Sequence, residues 1–127
     1  MSLKDECKIF EFKELGDERG RLVAIESLKD IPFEIKRIFY IYGTKNDTVR
    51  GQHANKKSEF VLINLKGSCK VKLYDNNEEF VVELNKPNIG LYIPKMIWKD
   101  MYDFSDDSLL ISLSNEYYDK NEYIRKK

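Results

Sequence analysis

The sequence predicts an all-β fold, an antiparallel sandwich or barrel. Short runs rich in β-branched and aromatic residues recur along nearly the whole chain. Turn-forming residues separate them at near-regular spacing, and no helical apolar period fills the gaps.

The runs can be taken in order. Residues 7–12 carry Ile9, Phe10 and Phe12, and residues 21–26 carry Leu22, Val23 and Ile25. The third run, 35–43, is the richest in aromatic and branched side chains, with Ile35, Ile38, Phe39, Tyr40, Ile41 and Tyr42. Residues 59–65 form an apolar stretch around Val61-Leu62-Ile63, interrupted by the amide of Asn64, which needs a partner if buried. Residues 68–74 alternate: Cys69, Val71 and Leu73 face one way, Lys70, Lys72 and Tyr74 the other, the pattern of a half-solvated strand. Residues 78–84, 89–93, 97–103 and 108–114 complete the set. Lys66-Gly67 and Asp75-Asn76-Asn77 are hairpin signals, and Asn85-Lys86-Pro87-Asn88 is a longer turn. A helix is expected only at the C-terminus, within Tyr117 to Arg125.

A chain of 127 residues is expected to make one domain, 1–127, around one core. Its 22 basic and 22 acidic residues cancel, so bulk charge supports neither nucleic-acid nor membrane binding. No apolar run reaches the length of a membrane span and the N-terminus lacks the apolar stretch of a signal peptide, so a cytoplasmic location is expected. Cys7 and Cys69 are too few for a disulfide framework and, with one histidine, make a zinc site a poor expectation.

That histidine, His53, is the most informative residue. It lies in Arg50-Gly51-Gln52-His53-Ala54-Asn55-Lys56-Lys57, an imidazole among groups that attract anions. One histidine cannot build a multi-histidine metal centre, but it can transfer a proton. All-β proteins of this size hold ligands in or at the mouth of the barrel, so polar residues on apolar strands are the candidates to line a pocket. These are Arg37 and Tyr40 on the third run, Arg50 and His53 before the fourth, and Trp98.

Several segments carry a resemblance. Gly51, His53, Asn55, Glu59 and Gly67 occupy places comparable to the first cupin motif, with asparagine for its second histidine; after Pro94, Trp98 and Lys99 stand where a further metal ligand would be. Ile35-Lys36-Arg37-Ile38-Phe39-Tyr40-Ile41, Arg50-Gly51-x-His53-Ala54, Gly90-Leu91-Tyr92-Ile93-Pro94, Trp98 to Phe104, and Tyr117-Tyr118-Asp119-x-x-x-Tyr123-Ile124-Arg125 follow in order. Together, from about residue 8 to residue 125, they resemble the sugar-nucleotide 3,4-ketoisomerases, metal-independent cupins of the WxcM-like group related in fold to dTDP-sugar 3,5-epimerases. The resemblance implies a cupin jelly-roll barrel, a homodimer, and a dTDP-linked 4-keto-6-deoxyhexose bound in the barrel. It implies no metal and no cofactor. Many members read His-x-His where this chain reads His53-Ala54-Asn55; an asparagine can hydrogen-bond a hydroxyl but carries no proton at neutral pH. Either His53 suffices, or Asn55 marks altered chemistry or none.

Moving a carbonyl from carbon 4 to carbon 3 removes the proton on carbon 3, passes through an enediol or enediolate, and returns a proton to carbon 4. It needs a base active near neutrality, a group stabilising charge on oxygen, and a fixed substrate. The resemblance makes His53 the base, against a purely structural histidine. Tyr40 is the candidate phenol that protonates or polarises an oxygen, against ordinary sheet packing. Arg37 and Arg50 are expected to clamp the diphosphate or polarise the carbonyl. Asn55 would orient a hydroxyl. Arg19, in Asp17-Glu18-Arg19-Gly20-Arg21, matches an epimerase turn that holds nucleotide phosphates, with a dimer partner as one route, against a charged hairpin tip. Trp98 would pack on the base or sugar, against a core role. Glu59 would orient His53, against a surface charge. Alternative functions are a 3,5-epimerase-like enzyme and a non-catalytic sugar-nucleotide-binding cupin.

Overall fold

A computed structural model describes residues 2–126. The chain begins with a four-residue helix, α1 (Leu3–Glu6), capped by the Ser2 hydroxyl. Twelve strands follow: β1 (Ile9–Glu11), β2 (Glu14–Asp17), β3 (Gly20–Val23), β4 (Arg37–Tyr42), β5 (Arg50–Asn55), β6 (Phe60–Lys66), β7 (Cys69–Tyr74), β8 (Glu79–Leu84), β9 (Ile89–Ile93), β10 (Trp98–Tyr102), β11 (Leu109–Ser114) and β12 (Tyr123–Ile124). They form one five-stranded sheet of order β1-β9-β6-β11-β4, a second of order β12-β5-β10-β7-β8, and a separate β2-β3 hairpin. All ladders between these strands are antiparallel. Two such sheets packed face to face, with crossovers between them, make the cupin jelly roll.

Apolar periodicity explains which faces meet. Phe60, Leu62, Leu91, Ile93 and Leu110 from the first sheet pack against Cys69, Val71, Leu73, Leu84 and Met101 from the second. Val61, Ile63 and Leu113 point the other way and are covered by Phe12, Ile31 and Phe33. The first sheet is thus buried on both faces at β6, which is why 60–64 reads as continuous apolar sequence rather than alternation. The predicted alternation of 69–74 holds, with Cys69, Val71 and Leu73 buried and Lys70, Lys72 and Tyr74 half-buried. Each buried leucine or valine contributes about 1.5–3 kcal/mol. Asn64 finds its partners: Oδ1 accepts from Ser108 Oγ at 3.0 Å and Nδ2 donates to the Leu84 carbonyl at 3.3 Å. Cys7 and Cys69 are free buried thiols, each pushed up to about 12 first of all by burial.

Four elements depart from the sequence expectation, the first being α1, a capped N-terminal turn where no helix is expected. β2 and β5 lie outside the predicted runs, because Glu14–Asp17 and Arg50–Asn55 lack the branched, apolar composition of the others; pairing with β3 and with β10 and β12 makes them strands. The C-terminal helix shrinks to one 3-10 turn, Lys120–Glu122, capped by Asp119. Tyr123 and Ile124 then pair with Asn55 and Ala54, so sheet hydrogen bonds take the backbone groups a helix would have used. No helix of the described residues is long and apolar enough to cross a membrane.

Candidate active site

At β5 the regular ladder breaks. Lys99 pairs with His53 and Asp100 with Gly51, so Gln52 is an extra residue on β5. Gly51 and Gln52 accommodate this bulge with φ of 82° and 54°. Bulges turn the strand and re-aim a side chain. Here the turn lets His53 Nδ1 meet its own strand's Gly51 carbonyl at 2.8 Å. A carbonyl oxygen only accepts, so Nδ1 carries the hydrogen of the neutral ring and the Nε2 lone pair is the basic site.

Gly51 has no room for a side chain: an added Cβ would lie 3.0 Å from the Lys99 carbonyl oxygen in a left-handed conformation. Gly51→Ala is therefore expected to cost about 1–3 kcal/mol. A denaturant midpoint equal to the parent's would refute the bulge argument.

His53 lines a cavity of about 340 Å³ with Arg37, Phe39 and Ile41 of β4, Arg50 and Gly51 of β5, Phe60 of β6, Lys99 and Met101 of β10, and Tyr123 and Arg125 from the C-terminal segment. Clefts of about 400, 480 and 560 Å³ elsewhere on the surface are larger, and the last holds Arg19 and Arg21, yet none of them joins arginines to a histidine, so chemistry rather than volume selects the site. Tyr123 stacks on the imidazole with ring centroids 4.4 Å apart. Burial, and next the charge of Lys99, lower the His53 pKa below its ordinary value; the Gly51 carbonyl and Asn55 oppose this. The ring therefore stays neutral and basic to lower pH than a solvated histidine.

Asn55 is 3% exposed, and its Oδ1 accepts from Lys99 Nζ at 3.1 Å. Behind it stands Glu122, also buried, which accepts from the Lys57 N–H at 3.1 Å, the Ser58 N–H at 2.8 Å and the Ser58 hydroxyl. Guanidiniums also line the cavity. Arg37 lies 4.7 Å from the Phe39 ring and 5.1 Å from Tyr118, and Arg125 lies 5.0 Å from Tyr123. An imidazole base beside three arginines suits a substrate that carries both an acidic carbon and anionic oxygens. Among the described residues, no three His, Cys, Asp or Glu side chains converge to hold a metal ion.

The structure thus joins His53, Arg37 and Arg50 around one cavity, with Asn55 against its Lys99 wall. It does not bring the other sequence candidates there. Tyr40 is corrected: β4 alternates, Arg37, Phe39 and Ile41 face the cavity, and Tyr40 stands on the opposite face, 62% exposed. Trp98 is corrected for the same reason. Lys99 and Met101 are the inward residues of β10, while Trp98 stacks on Tyr74 and donates to Asp100 Oδ1 at 3.2 Å. Glu59 does not orient His53; it accepts from the Tyr92 hydroxyl and from Asn115 Nδ2. Arg19 sits at the tip of the β2-β3 hairpin, 87% exposed and paired with Asp17 at 2.6 Å. Lys99, Glu122 and Tyr123 were missed as site residues. For Lys99 the signal was present: it shares strand parity with Met101, so the apolar member of the pair marks it as inward-facing.

Comparison with known proteins identifies the family. A family profile described as FdtA, WxcM-like, C-terminal, matches residues 5–127. The chain is 48% identical over 121 residues to the TDP-4-oxo-6-deoxy-alpha-D-glucose-3,4-oxoisomerase of Aneurinibacillus thermoaerophilus, covering 95% of this chain and 87% of that protein. It is similar to the crystal structure of a histidine-to-asparagine variant of the 3,4-ketoisomerase QdtA from Thermoanaerobacterium thermosaccharolyticum in complex with TDP-4-keto-6-deoxyglucose. The TM-score is 0.95 at 42% identity, over 98% of this chain and 90% of that one. It is also similar to the TDP-quinovose 3,4-ketoisomerase WlaRB of Campylobacter jejuni, with TM-score 0.93, 43% identity, and coverage of 97% and 95%.

Proposed function

Because the chain belongs to the FdtA family, WxcM-like, C-terminal, we propose that it is an isomerase that converts a dTDP-linked 4-keto-6-deoxyhexose to the 3-keto sugar by base-catalysed enolisation. The observation that carries this is the pinned tautomer of His53 in an arginine-lined cavity. The neutral Nε2 takes the proton from carbon 3, which the neighbouring carbonyl acidifies. The bond pair becomes the double bond between carbons 3 and 4, and charge moves to oxygen 4. Collapse toward carbon 3 returns a proton to carbon 4, so the reaction needs no redox partner. Arg37, Arg50 and Arg125 hold the diphosphate or polarise the carbonyl as planar bidentate donors. Asn55 has no proton to give; it positions His53 and Lys99.

The same reading includes a homodimer in which the whole chain acts as one domain. Ile38, Tyr40 and Tyr42 on the outer face of β4 are 55%, 62% and 71% exposed, and Leu15 and Leu22 of the hairpin are also exposed. A second copy would cover this apolar surface and carry Arg19 to a nucleotide in the neighbouring cavity. The reaction would serve deoxysugar or aminosugar synthesis for surface polysaccharide, in the cytoplasm.

Incubation with dTDP-4-keto-6-deoxyglucose in deuterated water, followed by proton NMR, tests the reading. The expected product is the 3-keto sugar, with deuterium at carbon 4 only to the extent that the His53 proton exchanges with solvent before it is returned. Exchange at carbon 5 with the 4-keto group retained would assign an epimerase. Binding with neither a 3-keto product nor exchange would leave a sugar-nucleotide-binding module.

A further inference from the structure

Isomerisation moves protons on two oxygens as well as two carbons. Oxygen 3 must lose its hydrogen and oxygen 4 must gain one. His53 accounts for the carbons, and Tyr40, the phenol expected to serve the oxygens, faces away from the cavity. Resting on the function proposed above, we infer that Lys99 is a second catalytic residue, the proton carrier between oxygens 4 and 3.

Its placement carries the argument. Lys99 is the direct cross-strand partner of His53, so both side chains rise from neighbouring strands into one cavity. The residue is 4% exposed. Among the described residues, Nζ makes one hydrogen bond, to Asn55 Oδ1, lies 4.4 Å from the Phe60 ring and has no carboxylate within ion-pair distance. An ammonium that served only to stabilise the fold would be paired with a carboxylate or reach solvent. This one lines the same cavity as the base with a single hydrogen-bond partner among the described residues.

Charged and titratable groups that face or influence it are His53 and Arg50 from β5, Arg37 from β4, and Glu122, Tyr123 and Arg125 from the C-terminal segment. Only Glu122 opposes deprotonation. Burial brings the ammonium down to about 7, so ammonium and amine are both accessible near neutrality.

The proton balance closes. As His53 removes the proton from carbon 3, the Lys99 ammonium donates one to oxygen 4 and becomes an amine. The amine then takes the proton from oxygen 3 as that oxygen becomes the new carbonyl, and the His53 imidazolium returns its proton to carbon 4. Both residues finish as they began. The two oxygens are vicinal, so one amine can serve both.

The starting state pairs neutral His53 with charged Lys99. The kcat/KM profile is therefore a bell, falling on the acid side as His53 protonates and on the alkaline side as Lys99 loses its proton, near pH 7. Lys99→Met, which removes the amine, and Lys99→Arg, which keeps charge but holds its proton, should each lower kcat by about a hundredfold. KM for the dTDP-sugar should stay within about threefold, and both should lose the alkaline limb. A second readout uses the unaltered enzyme: carbon-13 NMR of its lysine ε-methylenes should show one that titrates together with the alkaline limb.

If Lys99→Arg keeps kcat within threefold, Lys99 is a fixed counter-charge and the inference is overturned. The same holds if Lys99→Met keeps kcat, or if no lysine titrates with the limb. If the unaltered enzyme forms no 3-keto product, the proposed function falls and this inference with it; an active enzyme with indifferent variants removes Lys99 alone.

Discussion

His53→Asn should cost at least about a hundredfold in kcat, the scale of a lost general base, while dTDP still raises the thermal midpoint of the variant. The two halves follow from different groups. Proton removal from carbon 3 depends on Nε2, whose availability is set by the Nδ1 bond to Gly51. On the proposed function, phosphate binding rests on Arg37, Arg50 and Arg125, which line the cavity and which the substitution leaves in place. In the unaltered enzyme the acid limb of kcat/KM should fall below the usual histidine value, because burial and then Lys99 disfavour the imidazolium. The sign is fixed by the role: the active form is neutral, so activity is lost as pH falls through a lowered pKa. A His53→Asn variant that isomerises at the parent's rate would sink the assignment, and loss of the dTDP shift would point to a collapsed pocket instead.

The largest stability effect is expected at Glu122. Its carboxylate is 4% exposed and holds the Lys57 and Ser58 N–H groups and the Ser58 hydroxyl. It also supplies the negative charge that favours the buried Lys99 ammonium. Glu122→Ala leaves buried donors without an acceptor and a buried cation with less compensation, a loss of about 3–5 kcal/mol in the urea midpoint analysis. Glu122→Gln retains one acceptor oxygen and should fall between the two. A loss under about 1 kcal/mol for Glu122→Ala would show that water replaces the carboxylate. Burial by itself would raise the Glu122 pKa, but the hydrogen bonds from Ser58, Lys57 and Asn55 together outweigh it and leave it below the usual carboxylate range. Its contribution is therefore complete above the unfolded value of about 4.3 and disappears as pH falls through the lower folded value.

Much of the site was legible because two signals coincided. His53 stood out by its rarity, and Arg37 and Arg50 as cations beside apolar strands. Tyr40 and Trp98 looked equally plausible, since a tyrosine or tryptophan on a strand fits a pocket wall or an outer face alike. Strand parity decides between them, and parity has meaning only once one residue of the strand is known to face inward. Phe39 and Ile41 fix β4, and Met101 fixes β10.

The sequence by itself determined the all-β class, most strand positions, the alternation of β7 and the single histidine that the candidate site is built on, because each is written in local composition or spacing. Tertiary structure alone decided that 50–55 is a bulged strand, that the C-terminal segment pairs with it instead of coiling, and that Lys99, Asn55 and Glu122 meet behind His53. The physical reason is that these features depend on partners 44 to 70 residues away in the chain, and no local preference specifies such contacts.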